Sequence, residues 1–240
     1  MAKKKGKQKQ SAFRKYIHVL WGIFLLGVTG IIVLFGGAAL GIFGPMPDLQ
    51  QLENPRTNLA TQIISSDGTI LGKYYFDDNR TPIGFDEIPT DMVEALIATE
   101  DERFYDHAGI DWRGTLRAFV FLGKRGGAST ITQQLARQIF VGVRSRNVLK
   151  TIFQNAQEWV IAVQLEQRYT KKEIMAMYLN KYDFGYQADG IRSAAKIFFN
   201  KTPQELSIEE SATLVGMLKN SSLFNPIRRP ERVKERRNIV

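Results

Sequence analysis

Residues 91–104 read DMVEALIATEDERF, and the fold turns on how that stretch is understood. Val93, Leu96, Ile97 and Phe104 recur at the three- and four-residue spacing of one helical face, which predicts an amphipathic helix. Glu100 falls on the same face, four residues after Leu96 and three after Ile97. A second case lies downstream. In residues 157–166, QEWVIAVQLE, Glu158 shares a stripe with Ile161, Ala162 and Leu165. Carboxylates on inward faces are costly unless partnered. Each is therefore either a structural carboxylate braced by a cation or a backbone donor, or a group kept for chemistry.

Between the two lie residues 126–140, GGASTITQQLARQIF. Gly126 and Gly127 allow positive φ or a close approach of the backbone to a ligand. Thr130 and Gln133 satisfy the capping-box pattern T-x-x-Q, which predicts a helix starting at Thr130. Free N–H groups at such a start favour an anion, and Lys124, Arg125 and Arg137 add positive charge nearby. A Walker A loop is excluded, because its terminal Lys-Ser/Thr pair is missing and no strand precedes the glycines.

The chain has 240 residues, a formal charge of +9 and no cysteine, so disulfides and thiolate chemistry are excluded. Two histidines, His18 and His107, are too few for a His-rich metal site. The basic excess fits nucleic acid, anionic lipid or a phosphorylated substrate, and its position decides among them. Seven lysines and arginines (Lys3, Lys4, Lys5, Lys7, Lys9, Arg14, Lys15) precede an apolar run over residues 17–43. That run exceeds the ~20 residues needed to cross a bilayer, and it is too long for a signal-peptide core of about 7–15. The clustered charge places the N-terminus in the cytoplasm and the chain beyond the span outside. A nucleic-acid tail is the alternative for the lysines, and the adjacent span disfavours it. The expected order is a basic tail (1–15), a transmembrane helix (16–44), an extracytoplasmic linker with a β-hairpin (45–86) and a mainly helical domain (87–240). The hairpin is expected over residues 61–76, with Asp67-Gly68 as its turn.

Three strings taken together, EDERFYDHAG (100–109), GASTITQQLA (127–136) and EWVIAVQLE (158–166), resemble the peptidoglycan glycosyltransferases of family 51. The resemblance runs from about Thr61 to the end of the chain and is nearest to the N-terminal part of class A penicillin-binding proteins. It implies a mainly α, lysozyme-like glycosyltransferase domain behind one transmembrane helix and a small β-hairpin. Glu100 matches the general base that deprotonates a sugar hydroxyl, a role that partial desolvation suits by raising a carboxyl pKa. Gln133, Gln134 and Arg137 match residues that contact the sugar–pyrophosphate, and Ser129 and Thr130 belong to the same binding stretch. Asp101 is expected to orient the site or brace Arg103, and His107 and Gly109 to shape the turn after the helix.

The third motif departs from the family's R-K-x-x-E, because Gln154 and Asn155 replace its two cations. Lys150 preserves a cation the family usually supplies as arginine, and Glu158 would orient the pyrophosphate through a bound cation or hold a basic side chain. Either Arg144, Arg146 and Lys150 compensate for the loss, or pyrophosphate is held less strongly, since charge-assisted hydrogen bonds are about twice as strong as neutral ones. Tyr178, Ile191 and Phe198 are expected in the core, and Asn225 is expected to position a neighbouring segment.

The implied reaction polymerises lipid II: the acceptor's sugar 4-hydroxyl attacks C1 of a lipid-linked glycan, forming a β-1,4 bond with inversion and releasing polyprenyl pyrophosphate. No cofactor is required by the sequence and no metal ligand set is expected, although a divalent cation (Mg or Mn) accompanying the pyrophosphate is compatible with the family. The implied partners are lipid II, the nascent glycan, the membrane and the cell-wall synthesis machinery, with no nucleic acid. The implied location is the bacterial cytoplasmic membrane, single-pass, with the catalytic domain outside. Residues 230–240 end a helical pattern without a stop signal, and with the hairpin this predicts the front portion of a longer bifunctional enzyme. Two other classes stay open at this point. A lytic hydrolase could use the same two carboxylates without a pyrophosphate site. A non-catalytic, membrane-tethered basic module would need neither carboxylate.

Overall fold

The computed structural model describes residues 2–44, 61–67, 70–74, 82–121, 127–142 and 145–240, with side chains from residue 14 onward except in the two strands. Lys124, Arg125, Gly126, Arg144 and most of the expected linker (residues 45–60 and 75–81) lie outside the described residues. Among the described residues the helices are α1 (Ala2–Ala39), α2 (Thr90–Glu100), α3 (Trp112–Val120), α4 (Ile131–Ala136), α5 (Val148–Arg168), α6 (Lys171–Lys181), α7 (Gly190–Phe199), α8 (Ile208–Leu218) and α9 (Pro230–Arg237). A π-helical turn over Arg137–Val141 prolongs α4. The mainly helical class expected from the periodicity is what the structure shows.

The chain divides into two compact units. One comprises Met1–Met46 with Ser145–Val160. Its α1 contains a stretch, Arg14–Ala39, whose length and mean hydropathy of 2.4 suffice to cross a membrane. The first half of α5 packs in the same unit: Phe153 stacks on Phe43 at 4.3 Å between ring centroids, and Trp159 meets Phe35 at 5.6 Å. The chain enters α5 through a set of side-chain clamps. Asn147 Oδ1 accepts from the Leu149 and Lys150 N–H groups, Ser145 Oγ accepts from Asn147 N–H, and Gln154 Oε1 accepts from Ser145 N–H at 2.9 Å.

The other unit comprises Pro47–Arg144 with Ile161–Val240. Two short strands, β1 (Thr61–Ile64) and β2 (Ile70–Tyr74), pair antiparallel with Thr61 opposite Tyr74 and a register shift between Ile63 and Ile64. The helical core forms where α2 packs on α8, α4 on α6, and α8 on α9. Met92 and Leu96 of α2, Ile131 and Leu135 of α4, Ile174, Met175 and Tyr178 of α6, and Leu214 and Met217 of α8 are all fully buried there. The starts of α4, α6 and α8 are set by Thr130/Gln133, Thr170/Glu173 and Ser207/Glu210, each a reciprocal capping box that satisfies two orphan N–H groups. The segment leading into α2 is tied down by Asn180 of α6, whose side chain exchanges two hydrogen bonds with the Ile83 backbone at 2.8 and 3.0 Å.

Candidate active site

The E-D pair that ends α2 is divided by the end of the helix. Glu100 is its last residue, and Asp101 leaves helical geometry at φ −158° and ψ 74°. Asp101 turns inward, with a side chain only 3 % exposed. One carboxyl oxygen accepts from Ile131 N–H, the first of α4, at 3.0 Å, and both lie 3.1 Å from His107 Nε2. Around this cap the loop is held by further bonds. Thr130 Oγ donates to the Gly109 carbonyl at 2.7 Å, and Lys171 Nζ donates to the His107 carbonyl and to Glu166 while sitting 4.4 Å over the Phe104 ring. Gly109 is required by geometry. Its φ is +87°, and a Cβ there would lie 2.8 Å from the Ala162 carbonyl oxygen.

This arrangement corrects two expectations. Three N–H groups at the opening of α4, where an anion was expected, are taken within the chain: Ile131 N–H by Asp101, Gln133 N–H by Thr130 Oγ, and Thr130 N–H by Gln133 Oε1. A carboxylate of the chain already stands where the phosphate was expected, because the motif's own acidic residue folds back onto it. Asp101 also does not brace Arg103; that guanidinium pairs with Asp111. Burial pushes the Asp111 carboxyl up, but its bonds to Arg103 and to Gly114 N–H outweigh burial and hold it below the usual aspartate value.

Glu100 faces a different set of groups. Its Oε2 accepts from Gln134 Nε2 at 3.1 Å, and Gln134 Oε1 in turn accepts from Tyr178 Oη–H at 2.9 Å. Burial, with the Glu100 charge added to it, pushes the Tyr178 hydroxyl well above its ordinary value, so it stays a donor. A donor fixed at one end of the amide determines which end Glu100 meets. On its other side Glu100 Oε1 lies 3.7 Å from an Arg236 Nη of α9, and Gly216 makes room for the arginine stem, which a Cβ would meet at 3.1 Å. The Glu100 side chain is 15 % exposed and that of Arg236 12 %, so the pair is half-sheltered. Tyr182 stands one turn beyond Tyr178. Burial raises its hydroxyl to about 12, and that hydroxyl donates to the Met217 and Leu218 carbonyls.

Of the other expected site residues, Gln133 is buried with its Nε2 lacking an acceptor, Ser129 is exposed, and Arg137 begins the π turn beside Tyr178. Asn225 is buried and its Oδ1 accepts from Ile227 and Arg228 N–H, which fixes the turn that follows it. Tyr178 and Ile191 are core, while Phe198 is only half-buried. Glu158 and Lys150 belong to the unit containing α1, where Glu158 is buried and Lys150 and Arg146 are exposed. Gln154, read as a weakened phosphate ligand, holds the Ser145 backbone. Among the described residues no three His, Asp or Glu side chains converge to hold a metal ion. Arg236 and the orienting role of Tyr178 escaped the sequence reading. Arg236 carries no local signal, and a tyrosine at helical spacing reads as packing.

A family model described as transglycosylase matches residues 67–240. The chain belongs to the transglycosylase family. Its motifs accordingly mark a glycosyltransferase domain of the kind found in class A penicillin-binding proteins. The chain is 39 % identical over 225 residues to penicillin-binding protein 1A of Escherichia coli, covering 90 % of this chain and 26 % of that protein. It is 42 % identical over 183 residues to penicillin-binding protein 1A of Haemophilus influenzae, covering 75 % and 21 %. It is 37 % identical over 244 residues to penicillin-binding protein 1A/1B of Bacillus subtilis, covering 99 % and 26 %. The chain thus spans about a quarter of the length of the curated relatives it matches.

Proposed function

We propose that this chain polymerises a lipid-linked disaccharide–peptide into β-1,4-linked peptidoglycan glycan, with Glu100 as the general base. The observation that carries this is the setting of Glu100: a half-buried carboxylate at a helix end, oriented by Gln134 and flanked by Arg236. Glu100 takes the proton of the acceptor's 4-hydroxyl; that oxygen attacks C1 of the donor sugar, and the C1–O bond to the polyprenyl pyrophosphate breaks with inversion. Arg137 offsets charge on the departing pyrophosphate, the electrostatic contribution that usually dominates such steps. Glu158 and Lys150 are assigned to the pyrophosphate by the third motif alone. No step of this scheme passes through a metal cation.

The substrate is lipid-bound, and two features support work at a bilayer surface. The apolar stretch of α1 would span the membrane with the basic N-terminus in the cytoplasm. On α3, Trp112, Leu116, Phe119 and Val120 form an exposed apolar stripe edged by Arg113 and Arg117, the pattern of an interfacial helix. With Trp21 and Trp159 replaced by phenylalanine, shallow brominated lipids should quench Trp112; an unquenched Trp112 would remove the second support.

The decisive experiment is Glu100→Gln in the chain reconstituted with lipid-linked substrate. Polymer formation should fall by roughly 10²–10⁴-fold, the usual effect of losing acid–base catalysis, with the melting temperature preserved. Near-normal polymerisation would end the assignment of the base. Release of short saccharides from preformed glycan, without polymer, would instead identify a hydrolase.

A further inference from the structure

We infer that a depression between residues 183–189 and the segment after α8 is a binding site for a saccharide bearing a carboxylate. The inference deepens the reading above by giving the substrate's sugar–peptide portion its own contacts. The depression, of about 310 Å³, is lined by Gly185, Tyr186, Ser221, Ser222, Asn225 and Arg228. That volume is at the small end of ligand sites, which run from about 300 to 1,000 Å³.

The backbone here is shaped at a cost. Gly185, Tyr186 and Gln187 follow one another in left-handed geometry, with φ of 79°, 57° and 61°. Only the first is glycine, and left-handed conformations of other residues persist where the surroundings enforce them. The loop is closed by the Asp183–Asp189 bridge and by Phe184 N–H donating to the Ala188 carbonyl. What the strained turn presents is the Tyr186 ring, which remains 44 % exposed. Core packing therefore does not account for a tyrosine at a position where glycine would be relaxed.

The ring's neighbours suit a charged sugar. Tyr186 stands edge-on to Phe198 at 6.5 Å, which fixes its plane. Arg228 lies 5.4 Å from the ring and donates through Nε to Tyr186 Oη at 2.8 Å. Among the described residues its two Nη nitrogens meet no acceptor, so the planar fork that pairs with carboxylates is open. Asn225 holds the Arg228 backbone in place, and Ser221 and Ser222 add hydroxyl groups. An aromatic face for C–H groups, hydroxyls for sugar oxygens and one guanidinium fork describe a sugar carrying an acid. The site also adjoins the catalytic network: Ser221 lies near Tyr182, whose ring is 6.3 Å from that of Tyr178, the residue that orients Gln134.

The test is saturation-transfer NMR on the full chain in lipid nanodiscs, with N-acetylmuramyl-L-alanyl-D-isoglutamine and its methyl ester as probes. The free acid should bind, and esterification or Arg228→Gln should each weaken binding at least 10-fold. Tyr186→Gly should lose binding while its melting temperature holds or rises, since glycine relieves the left-handed strain. Equal binding of acid and ester, or unchanged binding by Arg228→Gln, would overturn the proposal, as would a Tyr186→Gly protein that melts lower. Because binding is read without turnover, a chain that binds the acid but makes no polymer would refute the catalytic reading and leave this site standing. The reverse result would do the opposite.

Discussion

Asp101→Ala separates the structural half of the E-D pair from the chemical half. The Asp101 carboxyl serves Ile131 N–H and His107 Nε2 from a position that is 3 % exposed, so water cannot replace it. Losing a charge-assisted bond to a buried N–H costs about 1.5–3 kcal/mol, in the upper range of what removing a helix cap costs. His107 loses its partner as well. Its Nδ1 already lacks one, so a buried ring would be left with neither nitrogen satisfied, adding about 1–2 kcal/mol. The sum is about 4 kcal/mol, which for a domain of this size lowers the melting temperature by roughly 8–16 °C. Asp101→Asn should lose only about 1 kcal/mol. Its amide oxygen can keep the Ile131 bond, and its amide nitrogen can donate to Nε2 if the imidazole proton moves to Nδ1. Thermal melts of the full chain in detergent, followed by circular dichroism, read both variants. An alanine variant melting within 2 °C of wild type, on the order of half a kcal/mol, would refute the cap argument. An asparagine variant that melts normally but polymerises as poorly as Glu100→Gln would move Asp101 into the chemistry.

Tyr178→Phe removes the donor that fixes Gln134, and kcat should drop about 10-fold with KM little changed, as expected when an orienting rather than a binding contact is lost; steady-state kinetics decide it. Gly109→Ala places a Cβ 2.8 Å from the Ala162 carbonyl at a φ of +87°, and chemical denaturation should show a loss of about 2–3 kcal/mol. Asp111 has its folded pKa below the unfolded value, so its contribution is present above about pH 3.9 and is lost as pH falls through the lower folded value. The stability gap between wild type and Asp111→Asn should therefore be widest near neutrality and close in acid; a gap that widens in acid would contradict the Arg103–Asp111 pairing.

What was legible in the sequence was whatever depends on near neighbours. The 3,4-spacing around Leu96 placed Glu100 on a half-buried face, and T-x-x-Q marked the start of α4 at Thr130. What fills that helix start could not be read, because the acceptor comes from Asp101, thirty residues earlier, and a capping box says nothing of who else approaches. The same limit hid Arg236, which reaches Glu100 only because α9 packs on α8 and Gly216 leaves space for its stem. Gln154 shows a different limit. Judged only against the arginine it replaces, it looked like a lost charge, whereas its amide holds the turn that leads into α5.

The division of labour between Glu100 and Asp101 follows from where α2 stops. In a continuing helix two consecutive carboxylates point about 100° apart around the axis, and Asp101 would stay on the surface of α2 beside the face that carries Glu100. Here the backbone turns extended between them, so Asp101 points back under the helix to the start of α4 and Glu100 remains on its rim. The same contact links them mechanically: Asp101 anchors the first residue of α4, and Gln134, three residues further along that helix, meets Glu100. A shift of α4 that weakens the cap must also move the amide that orients the base. The cap and the base thus act through one short helix, and a six-residue helix held at its first N–H has little freedom to misplace its fourth side chain.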